Sequence, residues 1–279
     1  MKRIFFTLVV FCLLLLVACS SSKGVFDANH KYEPTILKKD YQLFRNILEE
    51  YHPSLYWFTP KDSIDYFFDR GFSQLNDSLT ETQFRNILLD VVTKFRCGHT
   101  SVYYSKKYSR YLDTARLKVF PLSFRVTPDS MMVVGNINRR DSILKRGTVV
   151  RSINGMSTRH LTDTFFNYLV TDAWAINGKY QTLSNGGNFG VLYRNVFGMP
   201  DKIVVGYEDS LGQENLVTVP VYDPSKDTTR RTLSNTVNQN RGERSTPRPP
   251  AVNSVRNLQI DTSLSVSYTH LTLPTILRV

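Results

Sequence analysis

Cysteine is scarce, with three residues in 279 at positions 12, 19 and 97. Two of them fall within the first nineteen residues, so the rest of the chain holds a single thiol and forms no internal disulfide. Histidine is also sparse. His30, His52, His99, His160 and His270 stand at no metal-ligand spacing, and the sequence implies no metal site and no cofactor. The glycine-rich stretch SNGGNFG, 184–190, lacks the lysine and the strand-to-helix setting of a phosphate loop, so a turn between β elements is expected there. Acidic residues are outnumbered, 24 against 35 basic, for a formal charge of +11. That excess invites a nucleic-acid reading, yet Lys2 and Arg3 lie at the extreme N-terminus, and residues 223–256 carry seven basic against three acidic side chains. A solvated linker accounts for the second group. Motifs that interleave aromatic and basic residues are absent, and no nucleic-acid partner is expected.

The longest apolar run is confined to the opening MKRIFFTLVVFCLLLLVA, with two positive charges, an apolar stretch and small residues. This is the pattern of a bacterial export signal at 1–18, too short for a lasting membrane span. Leu16-Val17-Ala18-Cys19 resembles a lipoprotein lipobox, which implies acylation of Cys19 and a tether over 19–33. No acidic residue follows Cys19 closely, so nothing marks the chain for inner-membrane retention or surface display. The expected location is the cell envelope, on the periplasmic face of the outer membrane, with the membrane met through the N-terminal lipid. At the other end, VSYTHLTLPT within 266–279 resembles the translation of a transposase sequencing adapter. On that expectation the natural sequence departs near Ser265 and His270 belongs to no site.

Between these ends the composition suits a globular protein: 41% hydrophobic and 12% aromatic residues suffice for more than one core. The period is helical from Leu37 to Phe95. Leu37, Tyr41, Phe44, Leu48 and Tyr51 share one face, and His52-Pro53 ends the run. A second helix is expected from Thr59 as N-cap with Pro60 in its first turn, and a third from the capping box Thr80-Glu81-Thr82-Gln83. Gly98 fits the position just beyond that third helix, with His99 at a helix-to-strand corner. From Lys118 to Tyr222 the period becomes that of strands, broken by turn signals at Pro128-Asp129, Asn154-Gly155 and Leu211-Gly212, with one helix from Thr162 to Leu169. The expected fold is α+β: a helical module over 34–113, a β-rich module over 114–222, a low-complexity linker over 223–255, and the opening strand of a further domain over 256–265.

Tyr51-His52-Pro53-Ser54-Leu55-Tyr56, the helix start at Leu79-Thr80, and Cys97-Gly98-His99-Thr100-Ser101-Val102 resemble the N-terminal region of the tricorn-type and C-terminal-processing serine peptidases, above all lipoproteins of the Bacteroidetes type with a DGHT motif. Lys145 to Gly155, KRGTVVRSING, resembles a segment of their PDZ-like module. The resemblance covers most of 32–222. It implies that His99 is the general base for a serine on a later domain, that the substrate is polypeptide, and that the reaction is endoproteolysis. It also implies that the nucleophile and its oxyanion donors lie beyond Ser265, so that the chain as written is inactive. Gly98 stands where the tricorn enzyme has a serine that helps orient the histidine, and Cys97 replaces the aspartate of DGHT.

Other readings compete on the same residues. A glycine-histidine corner also suits a satisfied structural histidine. Cys97 and His99, two apart, would share a side of an extended segment and suggest a cysteine peptidase. His52, before a proline, reads as a cap or packing residue. A non-catalytic envelope lipoprotein that binds peptide or another ligand, or a purely structural one, would use the same modules.

Overall fold

A computed structural model of the chain describes residues 26–226 and 270–272. The export signal, Cys19, most of the linker and the strand expected at 257–265 lie outside the described residues. Among the described residues no helix is long and apolar enough to cross a membrane.

The fold is α+β, as the change of period implies, and its buried apolar residues fall into two clusters. In the first, α1 (Pro34–Tyr51), α2 (Lys61–Ser73) and α3 (Glu81–Val92) enclose Leu37, Tyr41, Phe44, Leu48, Ile64, Phe68, Phe84 and Leu88. Their spacing of three and four residues puts them on one face of each helix. Each buried side chain of this size contributes about 1.5–3 kcal/mol of transfer free energy. The short strands β1 (Lys31–Tyr32) and β2 (Leu79–Thr80) pair antiparallel and bring the start of the chain to the start of α3. Thr80 caps α3 as the sequence suggests: its hydroxyl accepts the Gln83 N–H, and the Gln83 side chain accepts the Thr80 N–H.

Thr59 does not cap α2. The helix begins at Lys61 with Pro60 as N-cap, and the Thr59 hydroxyl instead donates to the Lys94 carbonyl at 2.6 Å, tying the α1–α2 loop to the far end of α3.

The second cluster lies against a six-stranded antiparallel sheet. Along its main path the order is β4 (Leu122–Val126), β5 (Met131–Asn136), β6 (Val149–Ile153), β8 (Lys202–Glu208) and β9 (Glu214–Pro220), with β7 (Met156–Ser157) as a hairpin on β6. Asn154 and Gly155, at φ 49° and 78°, form the tight turn of that hairpin, a conformation that favours this residue pair. One helix was expected within this region, at Thr162–Leu169, but three are present: α5 (Thr158–Phe166), α6 (Ile176–Ser184) and α7 (Asn188–Phe197). The stretch 184–190 accordingly turns between two helices, not between strands, with Gly187 at φ 83° as the N-cap of α7. Phe120, Phe124, Phe165, Phe189 and Tyr193 meet edge-on or tilted in this core, ring centroids 4.7–5.9 Å apart in the closest pairs.

A helix unforeseen in the sequence, α4 (Lys106–Thr114), follows β3 (Ser101–Tyr103). Residues His270–Thr272 form β10, which pairs parallel to β3 with His270 opposite Ser101.

Candidate active site

The corner that carries His99 is built by the way α3 ends. After Val92 the helix tightens into a 3-10 turn at Thr93–Phe95, and the fully buried Phe95 anchors it in the helical core. Arg96 then takes the left-handed conformation, φ 56°, and breaks the helix. The sequence placed that role at Gly98. Arginine adopts it at a cost of about 1–2 kcal/mol. The neighbouring interactions hold it there: the Arg96 carbonyl accepts the Ala173 N–H at 2.8 Å, and its guanidinium stacks 3.5 Å over the Trp174 ring. Ala173 is itself left-handed, φ 47°, so two non-glycine residues in a disfavoured conformation meet through one hydrogen bond.

Cys97 to Thr100 form a turn closed by the Thr100 N–H on the Cys97 carbonyl. Thr100 is buried, and a directed chain of hydrogen bonds passes through it. The Ser54 N–H donates to His52 Nδ1 at 3.3 Å, which leaves the His52 proton on Nε2. Nε2–H donates to Thr100 Oγ1 at 2.7 Å, and that hydroxyl donates to Cys97 Sγ at 3.5 Å. Burial holds His52 below the usual imidazole range, so it stays neutral and acts as a structural link. It also ends α1, its N–H on the Leu48 carbonyl, in keeping with the cap or packing role read from the sequence.

Beyond the turn, β3 is braced from two sides. The Arg85 Nε–H donates to the Val102 carbonyl at 2.8 Å, and the Glu81 carboxylate accepts from both the N–H and the hydroxyl of Ser105. His99 therefore projects from a corner fixed on both flanks, with its own side chain 52% exposed.

Asp172 gives this corner its second charged group. It lies on the segment after α5, in the β-rich part of the chain, and reaches across to the helical part. Its Oδ1 accepts the Gly98 N–H at 2.6 Å, and its Oδ2 stands 4.0 Å from His99 Nε2. A Cβ at residue 98 would come within 3.0 Å of both carboxylate oxygens, so glycine is what lets the acid approach. Nothing in the sequence around Thr171-Asp172-Ala173 marked the aspartate as part of a site. Only the crossing of residues 167–174 onto the end of α3 brings it there.

That crossing also gathers cations. Lys94 pairs with Asp90 at 2.8 Å and donates to Asn167 Oδ1. Lys179 donates to the Phe166 carbonyl, and burial, with the charges of Lys94 and Arg96, lowers its pKa to about 8. The exposed Trp57, Phe58 and Tyr56 lie on the loop that Thr59 ties to Lys94.

Cys97 is half-buried in the turn, where its sulfur accepts from the Thr100 hydroxyl at 3.5 Å. His30 packs edge-on against Tyr32, and among the described residues no group of three or more potential metal ligands gathers.

No family model matches the chain, and no curated protein matches it. Solved structures with a similar shape include those of CPAF, a chlamydial serine protease. A serine-to-alanine mutant gives a TM-score of 0.46 at 12% identity over 68% of this chain, mature CPAF 0.43 at 10% over 67%, and mature CPAF complexed with lactacystin 0.45 at 9% over 67%. The chain spans about a third of the length of each, 34%, 34% and 35%.

Proposed function

We propose that this chain is the N-terminal part of an exported, lipid-anchored serine endopeptidase of the C-terminal-processing or tricorn type, with His99 as its general base and polypeptide as its substrate. The observation that carries the reading is the corner itself: a half-exposed imidazole on a backbone fixed by buried groups, with a carboxylate beside it. A serine hydroxyl is a poor nucleophile until a base within reach takes its proton. His99 takes that proton as the serine oxygen attacks the peptide carbonyl, then delivers it to the departing amine. The serine and the oxyanion donors are assigned to residues that follow Ser265 in the natural reading frame. The β-rich part over 114–222 acts as a PDZ-like module that receives an extended peptide beside a sheet edge, and Cys19 carries the anchoring lipid on the periplasmic face of the outer membrane.

A non-catalytic peptide-binding lipoprotein is the second reading. The edge of β3 favours it, because residues Ser101–Tyr103 can take an extended segment in parallel pairing, as they do with His270–Thr272.

Sequencing the source locus across the codons for Leu258 to Val279 separates the two. The peptidase reading expects the frame to continue past Ser265 into a domain with a glycine-flanked serine. A locus that encodes VSYTHLTLPTILRV and stops overturns it in favour of binding.

A further inference from the structure

The geometry points to Asp172 as the positioning residue for His99: one carboxylate oxygen fixes the backbone of Gly98, and the other holds the adjacent imidazole with its proton on Nε2, leaving Nδ1 as the acceptor. Three observations converge on it. Oδ1 is committed to the Gly98 N–H at 2.6 Å, which keeps Oδ2 on the side of the imidazole, 4.0 Å from Nε2. The 4.0 Å between Oδ2 and Nε2 closes to hydrogen-bond distance by a small rotation of either exposed side chain. Residue 98 has no side chain, and a Cβ there would meet both oxygens at 3.0 Å, so the space a side chain would fill belongs to the carboxylate.

The orienting group missing at position 98 in the sequence is thus supplied from another part of the chain. The left-handed Ala173 and its hydrogen bond to the Arg96 carbonyl hold Asp172 in place, as does the Arg96–Trp174 stack. Arg96, Lys94 and Lys179 bring positive charge to this crossing, Asp90 is engaged by Lys94 and Arg70, and Asp172 is the carboxylate that stands beside the imidazole. An acid that fixes the tautomer of a base determines which nitrogen can take a proton. Here Nδ1 would take the proton from the attacking hydroxyl and pass it to the leaving amine. That catalytic meaning rests on the peptidase reading, but the contact does not.

The test is therefore made on the 279-residue chain without any activity assay. Long-range proton–nitrogen NMR at alkaline pH, where imidazoles are neutral, reports which ring nitrogen carries the proton, and a His99→Gln variant assigns the signals. The wild-type ring is expected in the Nε2–H form. In Asp172→Asn the amide oxygen keeps the Gly98 N–H, so the amide NH2 turns toward Nε2 and donates to it. The major tautomer then inverts to Nδ1–H while the Trp174 indole resonance stays in place. The same tautomer in wild type and variant reduces Asp172 to a clamp on Gly98 and overturns the proposal. If the asparagine detaches the loop, seen as a shifted Trp174 resonance, the wild-type spectrum decides alone: an Nε2–H fraction above that of a free histidine side chain, which itself favours Nε2–H, sustains the proposal, and a fraction at or below it overturns the proposal. A failure here leaves His99 as a base with another orienting group, whereas failure of the peptidase reading appears in the locus sequence and leaves the tautomer result standing.

Discussion

His52 and His99 lie forty-seven positions apart in the sequence and end on the same corner, one buried and neutral, the other open. What each touches decides its role. Burial lowers the pKa of His52, so the folded state binds fewer protons than the unfolded state between that lowered value and the ordinary value of about 6.5. Its contribution to stability is complete above about pH 6.5 and is lost as the pH falls through the folded-state value. Urea midpoints measured at about pH 7.5 and about pH 5.5 should fall more steeply for wild type than for His52→Gln. Equal slopes would contradict the buried, neutral assignment. At this scale the sequence was partly legible. Proline after His52 announced a helix end, and the glycine before His99 announced a corner. Asp172 was illegible, because it acts through a contact across seventy-four positions with no local pattern to mark it.

At the scale of elements, legibility followed the strength of the periodic signal. α1, α2 and α3 carry apolar residues at regular helical spacing, and α3 has both halves of its capping box. α4 reads KKYSRYLDT, with a single buried residue, Tyr108, and so too little apolar pattern to announce itself. α7 was masked differently. Phe189 and Tyr193 stand four apart on its buried face, but they follow a run of asparagine and glycine that reads as a turn. The Thr59 hydroxyl was available as a cap and was drawn instead to the Lys94 carbonyl, a partner thirty-five residues away.

The packing of α7 gives a direct check on the second core. A Cβ on Gly190 would sit 2.5 Å from Phe120 Cβ, where neither group can yield without moving backbone. Gly190→Ala should therefore destabilise the fold by about 1–3 kcal/mol by denaturant titration. Gly186→Ala, with open space around its Cβ, should stay within about 0.5 kcal/mol of wild type. Similar costs for both would mean that α7 does not pack against Phe120 as described.

At the scale of the whole molecule, the two cores meet along a polar seam. Asn86 donates to the Asn195 carbonyl, Thr93 and Lys94 donate to Asn167, and Tyr168 and Val170 pack into the helical cluster. Each such hydrogen bond adds about 0.5–1.5 kcal/mol net, so the seam is held by many modest terms. The site lies on this seam, which is why half of it was invisible to a reading that took the helical and β-rich stretches separately. The α+β class was legible because the hydrophobic period changes near Lys118 from helical to strand spacing, even though α5, α6 and α7 interrupt the strands between β7 and β8.

His99 as the base of a serine peptidase is tested directly by peptide hydrolysis with the protein expressed from the source locus, wild type against His99→Ala. Loss of a triad base costs about 10⁴-fold or more in kcat, and the account predicts a fall of that order with KM little changed and the thermal midpoint within a few degrees of wild type. Undiminished hydrolysis in a folded His99→Ala protein would contradict it.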